Sequence, residues 1–177
     1  MIDGAPYCTP TLLWREGDYV YWHGSSISRF LQQAIGTQVC LTVTHLDGLV
    51  LARSAFHHSA NYRSVMLFGE VESVEGEAKV AALKFFVDGT FPGRWDTLRP
   101  MTRKEERATT LVRMRIDEGS AKVRTGPPGD DKADYELPIW AGVIPVHSAL
   151  GTPVPDELNL PEVQVPDHVI QYELGFQ

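Results

Sequence analysis

Apolar and polar residues alternate from Tyr7 to Trp14, Arg15-Glu16-Gly17-Asp18 breaks the pattern, and Tyr19–Trp22 resumes it, which predicts an opening β-hairpin. The period then changes: between Ser28 and Ile35, Phe30, Leu31 and Ala34 recur at helical spacing, with Gly36 as the stop. Gln38–His45 and Leu49–Phe56 flank Leu46-Asp47-Gly48, which predicts a second hairpin with Asp47-Gly48 as nothing more than its turn. Tyr62–Val74 reads as one long strand, bulged or bent at Gly69. Glu77 to about Val87 is a helix presenting Val80, Ala81, Leu83, Lys84 and Val87, and Phe91-Pro92-Gly93-Arg94-Trp95 ends it. Thr102-Arg103-Lys104-Glu105 is a capping box that opens a short helix. Strands return at Thr109–Ile116, Ala121–Arg124 and Ile139–Val146, interrupted by the loop Gly126-Pro127-Pro128-Gly129-Asp130-Asp131.

About seven β-runs joined by short helices imply a mainly β fold, an antiparallel sheet closed into a barrel, since a doubly wound fold needs a longer helix after nearly every strand. A chain of 177 residues can bury roughly 70% of its unfolded surface, enough for one core. Residues 1–149 are expected to form that barrel domain. Residues 150–177 carry Pro153, Pro155, Pro161 and Pro166, five carboxylates and no Lys or Arg, and read as an extended acidic tail.

The formal charge of −7 argues against nucleic acid as partner, because backbone binding needs a positive surface. Cys8 and Cys40 lie in apolar runs and are expected as buried thiols rather than a disulfide. No run approaches the ~20 apolar residues of a membrane span, and no secretory signal opens the chain, so a cytoplasmic protein is expected.

The chemistry concentrates where the second strand meets the first helix. His23-Gly24-Ser25-Ser26-Ile27-Ser28-Arg29 puts hydroxyls and a guanidinium at a helix N-terminus, the geometry that holds a phosphate monoester. A cation in a first helical turn is disfavoured by the dipole unless an anion lies near, which singles out Arg29; Ser25 and Ser28 are equally ordinary capping residues. Arginines outnumber lysines 11 to five, which suits a bidentate phosphate donor but also follows from base composition of the gene. Adjacent residues on a regular strand point to opposite faces, so His57 and His58 are not expected to chelate one metal ion. Either of them, or His23, could supply a proton near neutral pH, or simply bond a backbone carbonyl.

Taken together, His23-Gly24-Ser25 through Arg29, Leu46 through Ser59, Asn61-Tyr62-Arg63-Ser64-Val65, Ala121 through Pro128 and Leu137 through Val143 resemble the FMN-binding split barrel, the antiparallel, Greek-key superfamily of pyridoxamine 5′-phosphate oxidase. Within it they are most similar to the flavin-nucleotide-binding branch beside the nitroimidazole-resistance proteins. The resemblance implies a homodimer with FMN in the groove between subunits. It implies that Ser25, Ser28 and Arg29 hold the phosphate, with His23 and Gly24 beside them. Thr9, Pro10, Thr11 and Leu12 would meet the flavin ring edge from a strand, Arg63 and Ser64 the phosphate or ribityl chain, and Arg124 and Trp140 the ring from the facing subunit. An FMN-dependent oxidoreductase of a small molecule follows, with a nicotinamide nucleotide, NAD(P)H, as possible electron donor. A non-catalytic flavin-nucleotide-binding protein and a haem-binding split barrel with an axial histidine are the alternatives. The resemblance also implies a helix and a first strand before the segment that starts at Ile2, so the chain is expected to be short by that unit, and the pyridoxal-phosphate-binding arginines of the oxidase are not recognisable.

Overall fold

The structure, a computed structural model, describes residues 4–172; expectations that touch residues 1–3 and 173–177, the chain start and the end of the acidic tail, lie outside the described residues. Seven strands alternate with short helices: β1 (Leu13–Glu16), β2 (Tyr19–Ser25), α1 (Arg29–Ala34), β3 (Gln38–Leu51), β4 (Ser59–Val74), α2 (Gly76–Thr90), α3 (Arg103–Ala108), β5 (Thr109–Arg115), β6 (Glu118–Arg124), β7 (Gly142–Pro145) and α4 (Asp167–Ile170). The ladders are antiparallel, hydrogen-bonded in the order β1-β2-β5-β4-β3-β7 with β6 also on β4. The mainly β, antiparallel expectation holds.

The chain divides into two compact units: residues up to Val39 with Gly69–Ile116 and the segment from Ala149, and Cys40–Phe68 with Asp117–Ser148. In the first, Gly17 takes a positive φ of 57° and closes the β1–β2 hairpin. β2 pairs along its length with β5, which continues onto Val71–Val74 of β4. Leu111, Val112 and Met114 are fully buried there. Trp14, Tyr21, Val74, Ala82 and Leu111 form a cluster against which Tyr19, Leu83 and Phe86 pack, so α2 covers this face of the sheet.

In the second unit, β4 pairs with β6 from Tyr62↔Arg124 to Phe68↔Glu118, and β3 pairs with β7. Strand β4 changes partner just past Phe68, where a Cβ on Gly69 would lie 2.7 Å from Met114 Cγ. The expected break at Gly69 is thus a site of close approach.

Several local expectations are corrected. Strand β3 runs unbroken through Asp47-Gly48, so no hairpin forms there. A tight Asp-Gly turn needs positive φ, which Gly48 does not adopt. Instead the Val146 N–H donates to the Asp47 carbonyl at 3.1 Å, and a Cβ on Gly48 would meet Val143 Cγ1 at 2.9 Å. Residues 7–12 lie outside the sheet, so β1 is shorter than predicted. Of the predicted face of α2, Leu83 packs on the core, but the fully buried residues are Lys79 and Ala82, and Ala81 and Lys84 are exposed. Both cysteines are exposed and free.

Candidate functional site

In the first unit the Gly-Ser turn is built as its sequence suggests. A Cβ on Gly24 would lie 2.9 Å from Leu31 Cδ1, so glycine lets the Leu31 side chain of α1 pack directly on the end of β2. The Ser28 N–H donates to the Ser25 carbonyl at 2.9 Å and the Ser26 N–H to the Ala108 carbonyl at 2.8 Å. Ser25 Oγ accepts from the Ile27 N–H at 3.4 Å, while Ser28 Oγ caps α1 by accepting from the Leu31 N–H at 3.4 Å. Arg29 is the first residue of α1 and exposed. Ser25, Ser28 and Arg29 therefore share one turn.

Thr9, Pro10, Thr11 and Leu12 are on the irregular segment before β1, not on a strand. Two residues ahead of Thr9, the Tyr7 ring lies 5.8 Å from that of Phe30 on α1. His23 is half-buried, its ring 6.0 Å from Trp14 and 6.1 Å from Phe86. Burial holds its pKa below the usual 6.5, and its buried Nδ1 has no hydrogen-bond partner, like Trp14 Nε1.

A buried lysine braces the turn from behind. Lys79, only 3% exposed, donates through Nζ to the Glu106 carbonyl at 2.7 Å and the Thr109 carbonyl at 2.5 Å. Those residues bracket Ala108, the acceptor for Ser26. Sequence periodicity gave no sign of it, because Lys84 occupies the more amphipathic position.

In the second unit Arg63 is engaged by a carboxylate: Nε to Asp47 Oδ2 at 3.0 Å and Nη2 to Oδ1 at 2.9 Å. That hydrogen-bonded pair lowers the Asp47 pKa and raises that of Arg63. Ser64 Oγ lies 2.8 Å from Thr44 Oγ1. Arg124 donates to Asn61 Oδ1 and to the Pro127 carbonyl, and the buried Asn61 Nδ2 donates to the Gly126 carbonyl at 3.1 Å. Trp140 is not in a strand and not core: it precedes β7, 67% exposed, its ring over Gly142.

His57 and His58 sit at a single 3-10 turn, Ala55–His57, and not on a strand, so the strand argument about their faces does not apply. His57 Nε2 is 3.8 Å from Asp131 Oδ2, and His58 Nδ1 is 3.0 Å from the Ser54 carbonyl. A neutral His58 therefore carries its proton on Nδ1 and its lone pair on Nε2. Beside this turn Asp130, its side chain fully buried, accepts from the Arg53 N–H and Nη1, both at 2.9 Å. Burial alone would raise the Asp130 pKa, but the Arg53 bonds bring it below the ordinary range. No group of three or more His, Cys, Asp or Glu able to hold a metal ion occurs among the described residues.

The model of the family described as pyridoxamine 5′-phosphate oxidase matches residues 1–123. Among solved structures, the flavocytochrome Anf3 from Azotobacter vinelandii is 50% identical and superposes with a TM-score of 0.93, over 99% of this chain and 82% of that one. The FAD and heme binding protein from Mycobacterium smegmatis is 36% identical, TM-score 0.91, over 96% of this chain and 84% of that one. A 5-nitroimidazole antibiotic resistance protein from Bacteroides thetaiotaomicron, 22% identical over 68% of this chain and 70% of that one, TM-score 0.53, shares the fold. The curated proteins contain no match. With the family matched over more than two thirds of its length and two solved relatives above 30% identity, this chain belongs to the pyridoxamine 5′-phosphate oxidase family of split barrels.

Proposed function

We propose that this protein is a flavin- and haem-binding oxidoreductase, active as a homodimer. The observation that carries the reading is its 50% identity, over 99% of the chain, to a protein named a flavocytochrome, joined by 36% identity to one named for FAD and haem. This replaces FMN alone with a flavin nucleotide accompanied by haem, and the second relative's name favours FAD over FMN.

The residues fit both groups. Ser25, Ser28 and Arg29, on one turn, would hold a flavin phosphate through hydroxyl donors and a charge-assisted bond. Arg63 is committed to Asp47, so an incoming phosphate competes with a carboxylate there. If haem binds, His58 would be the residue to hold its iron: Nδ1 is bonded to the Ser54 carbonyl, which orients the ring and leaves Nε2 as the donor atom. Phe56, 89% exposed, is an apolar ring on the same turn, packed edge-on against His57. When bound, the flavin and haem supply two-electron and one-electron chemistry respectively. The chain's part is to hold them and exclude water.

The dimer is supported by the second unit, in which only Gly48, Val50, Ala52 and Asn61 are buried. Val65 and Val123 stay exposed on one face of the β4–β6 pair, and Met66 and Phe68 on the other, apolar exposure that a monomer rarely leaves uncovered. No helix among the described residues is long and apolar enough to cross a membrane. A cytoplasmic location and NAD(P)H as donor belong to this same reading.

The test is an absorption spectrum of protein reconstituted with FAD, FMN and haemin, then desalted, with mass spectrometry of the released molecules. Flavin bands together with a Soret band are expected, and His58→Ala should abolish or shift the Soret band while sparing the flavin. Flavin retained without haem would remove the haem half of the proposal; retention of neither would remove both. NAD(P)H oxidation with varied acceptors distinguishes an enzyme from a flavin-storage protein.

A further inference from the structure

The connection from β3 to β4 carries both histidines, and no side chain of its Ala55–His57 turn is buried. What fixes it is polar and comes from residues 130–135, in the same second unit. Asp130 accepts from the Arg53 N–H through one carboxylate oxygen and from Arg53 Nη1 through the other. One enclosed carboxylate thus ties down both the main chain and the side chain of the residue before Ser54. The Arg53 guanidinium also lies over the Tyr135 ring, 4.9 Å from its centroid, and His57 Nε2 faces Asp131.

Asp130 is itself held. Its loop begins at Gly126, with φ 103°, and passes through Pro127 and Pro128, whose rings fix φ. The root of the loop is tied to the sheet, where Asn61 of β4 donates to the Gly126 carbonyl and Arg124 of β6 to the Pro127 carbonyl. Charge-assisted bonds are short and directional, so this placement passes to Arg53. The next residue, Ser54, supplies the carbonyl that accepts from the His57 N–H at 3.1 Å and from His58 Nδ1 at 3.0 Å.

We infer that Asp130 is the positioning residue for His58. Acting through Arg53 and the Ser54 carbonyl, it sets the orientation of the His58 ring and keeps the proton on Nδ1, which leaves Nε2 as the donor atom. The inference rests on the haem reading above and adds which buried group holds the ligand in place. Loss of an outer partner of this kind weakens metal binding by about 10- to 100-fold.

The test uses the full chain as wild type, Asp130→Asn and Asp130→Leu/Arg53→Met. The double variant replaces the buried pair by apolar side chains, so no charge is stranded and the fold is kept. Nitrogen-15 NMR of the haem-free proteins at alkaline pH is expected to show neutral His58 with its proton on Nδ1 in wild type, and mixed tautomers in the variants. Haemin affinity, read from the Soret band, is expected to fall by about 10- to 100-fold in the double variant. The loss should be smaller in Asp130→Asn, which keeps an acceptor for the Arg53 N–H. Free imidazole, which reaches the iron without help from the turn, is expected to restore the band. Variants that melt cooperatively yet keep the Nδ1–H tautomer overturn the assignment, as does a loss of haemin that imidazole does not restore. A wild type that binds no haemin overturns the haem reading, while the tautomer change still supports the hold of Asp130 on His58.

Discussion

Lys79→Met tests whether the turn that presents Ser25, Ser28 and Arg29 is braced from behind. The substitution keeps the length and apolar stem of the side chain but deletes the ammonium that donates to the Glu106 and Thr109 carbonyls. The Glu106 carbonyl keeps the Thr109 N–H as a donor, so the Thr109 carbonyl is the acceptor left short. A hydrogen bond from a charged group contributes ~1.5–3 kcal/mol, and relief of the buried ammonium's desolvation returns part of the loss. The net destabilisation is about 2 kcal/mol, which for a chain of this size lowers Tm by about 4–8 °C. Thermal melting of the cofactor-free protein, followed by tryptophan fluorescence, measures it. A variant melting within about 1 °C of wild type would mean that Lys79 is incidental to the first unit.

Gly69→Ala places a Cβ 2.7 Å from Met114 Cγ and 3.2 Å from the Arg115 carbonyl, so it should cost ~1–3 kcal/mol by thermal melting; combined with Met114→Ala, which removes that Cγ, the loss should be smaller than the sum of the two single losses. Burial lowers the His23 pKa below 6.5, so the unfolded chain takes up its proton at a higher pH than the fold does. Stability contributed by neutral His23 is therefore present above pH 6.5 and declines as the pH falls through the folded-state pKa, and His23→Gln should flatten that slope in urea titrations. Arg29→Ala should weaken flavin binding by roughly 1.5–3 kcal/mol, read by flavin fluorescence titration; an unaltered affinity would remove its phosphate role.

Where the controlling forces are local, the sequence was legible. The Thr102–Glu105 capping box forms with both of its hydrogen bonds, Ser28 caps α1, and Gly36 with φ 73° stops it. Where distant strands decide, local patterns misled. Asp47-Gly48 has the chemistry of a hairpin turn, but pairing with β7 and the Arg63 guanidinium held it extended. Hydrophobic spacing placed Lys84 on the buried face of α2, whereas the carbonyls at the end of α3 supply a buried site for Lys79 that no periodicity encodes. That Ser25, Ser28 and Arg29 share one turn was legible because they are neighbours in sequence. Asn61 and Asp130 were missed because their partners, Gly126 and Arg53, lie 65 and 77 residues away.

The Arg53–Asp130 pair has a kinetic consequence. Its two halves are 77 residues apart, so it can form only after a long loop has closed, and the entropic cost of that closure must already have been met by other contacts. Asp130 is then enclosed completely. Entering that site without Arg53 would strand a charge away from water. A pair formed that late would add little to the folding transition state and would slow unfolding of the completed unit. Arg53→Met should leave the refolding rate unchanged and accelerate unfolding.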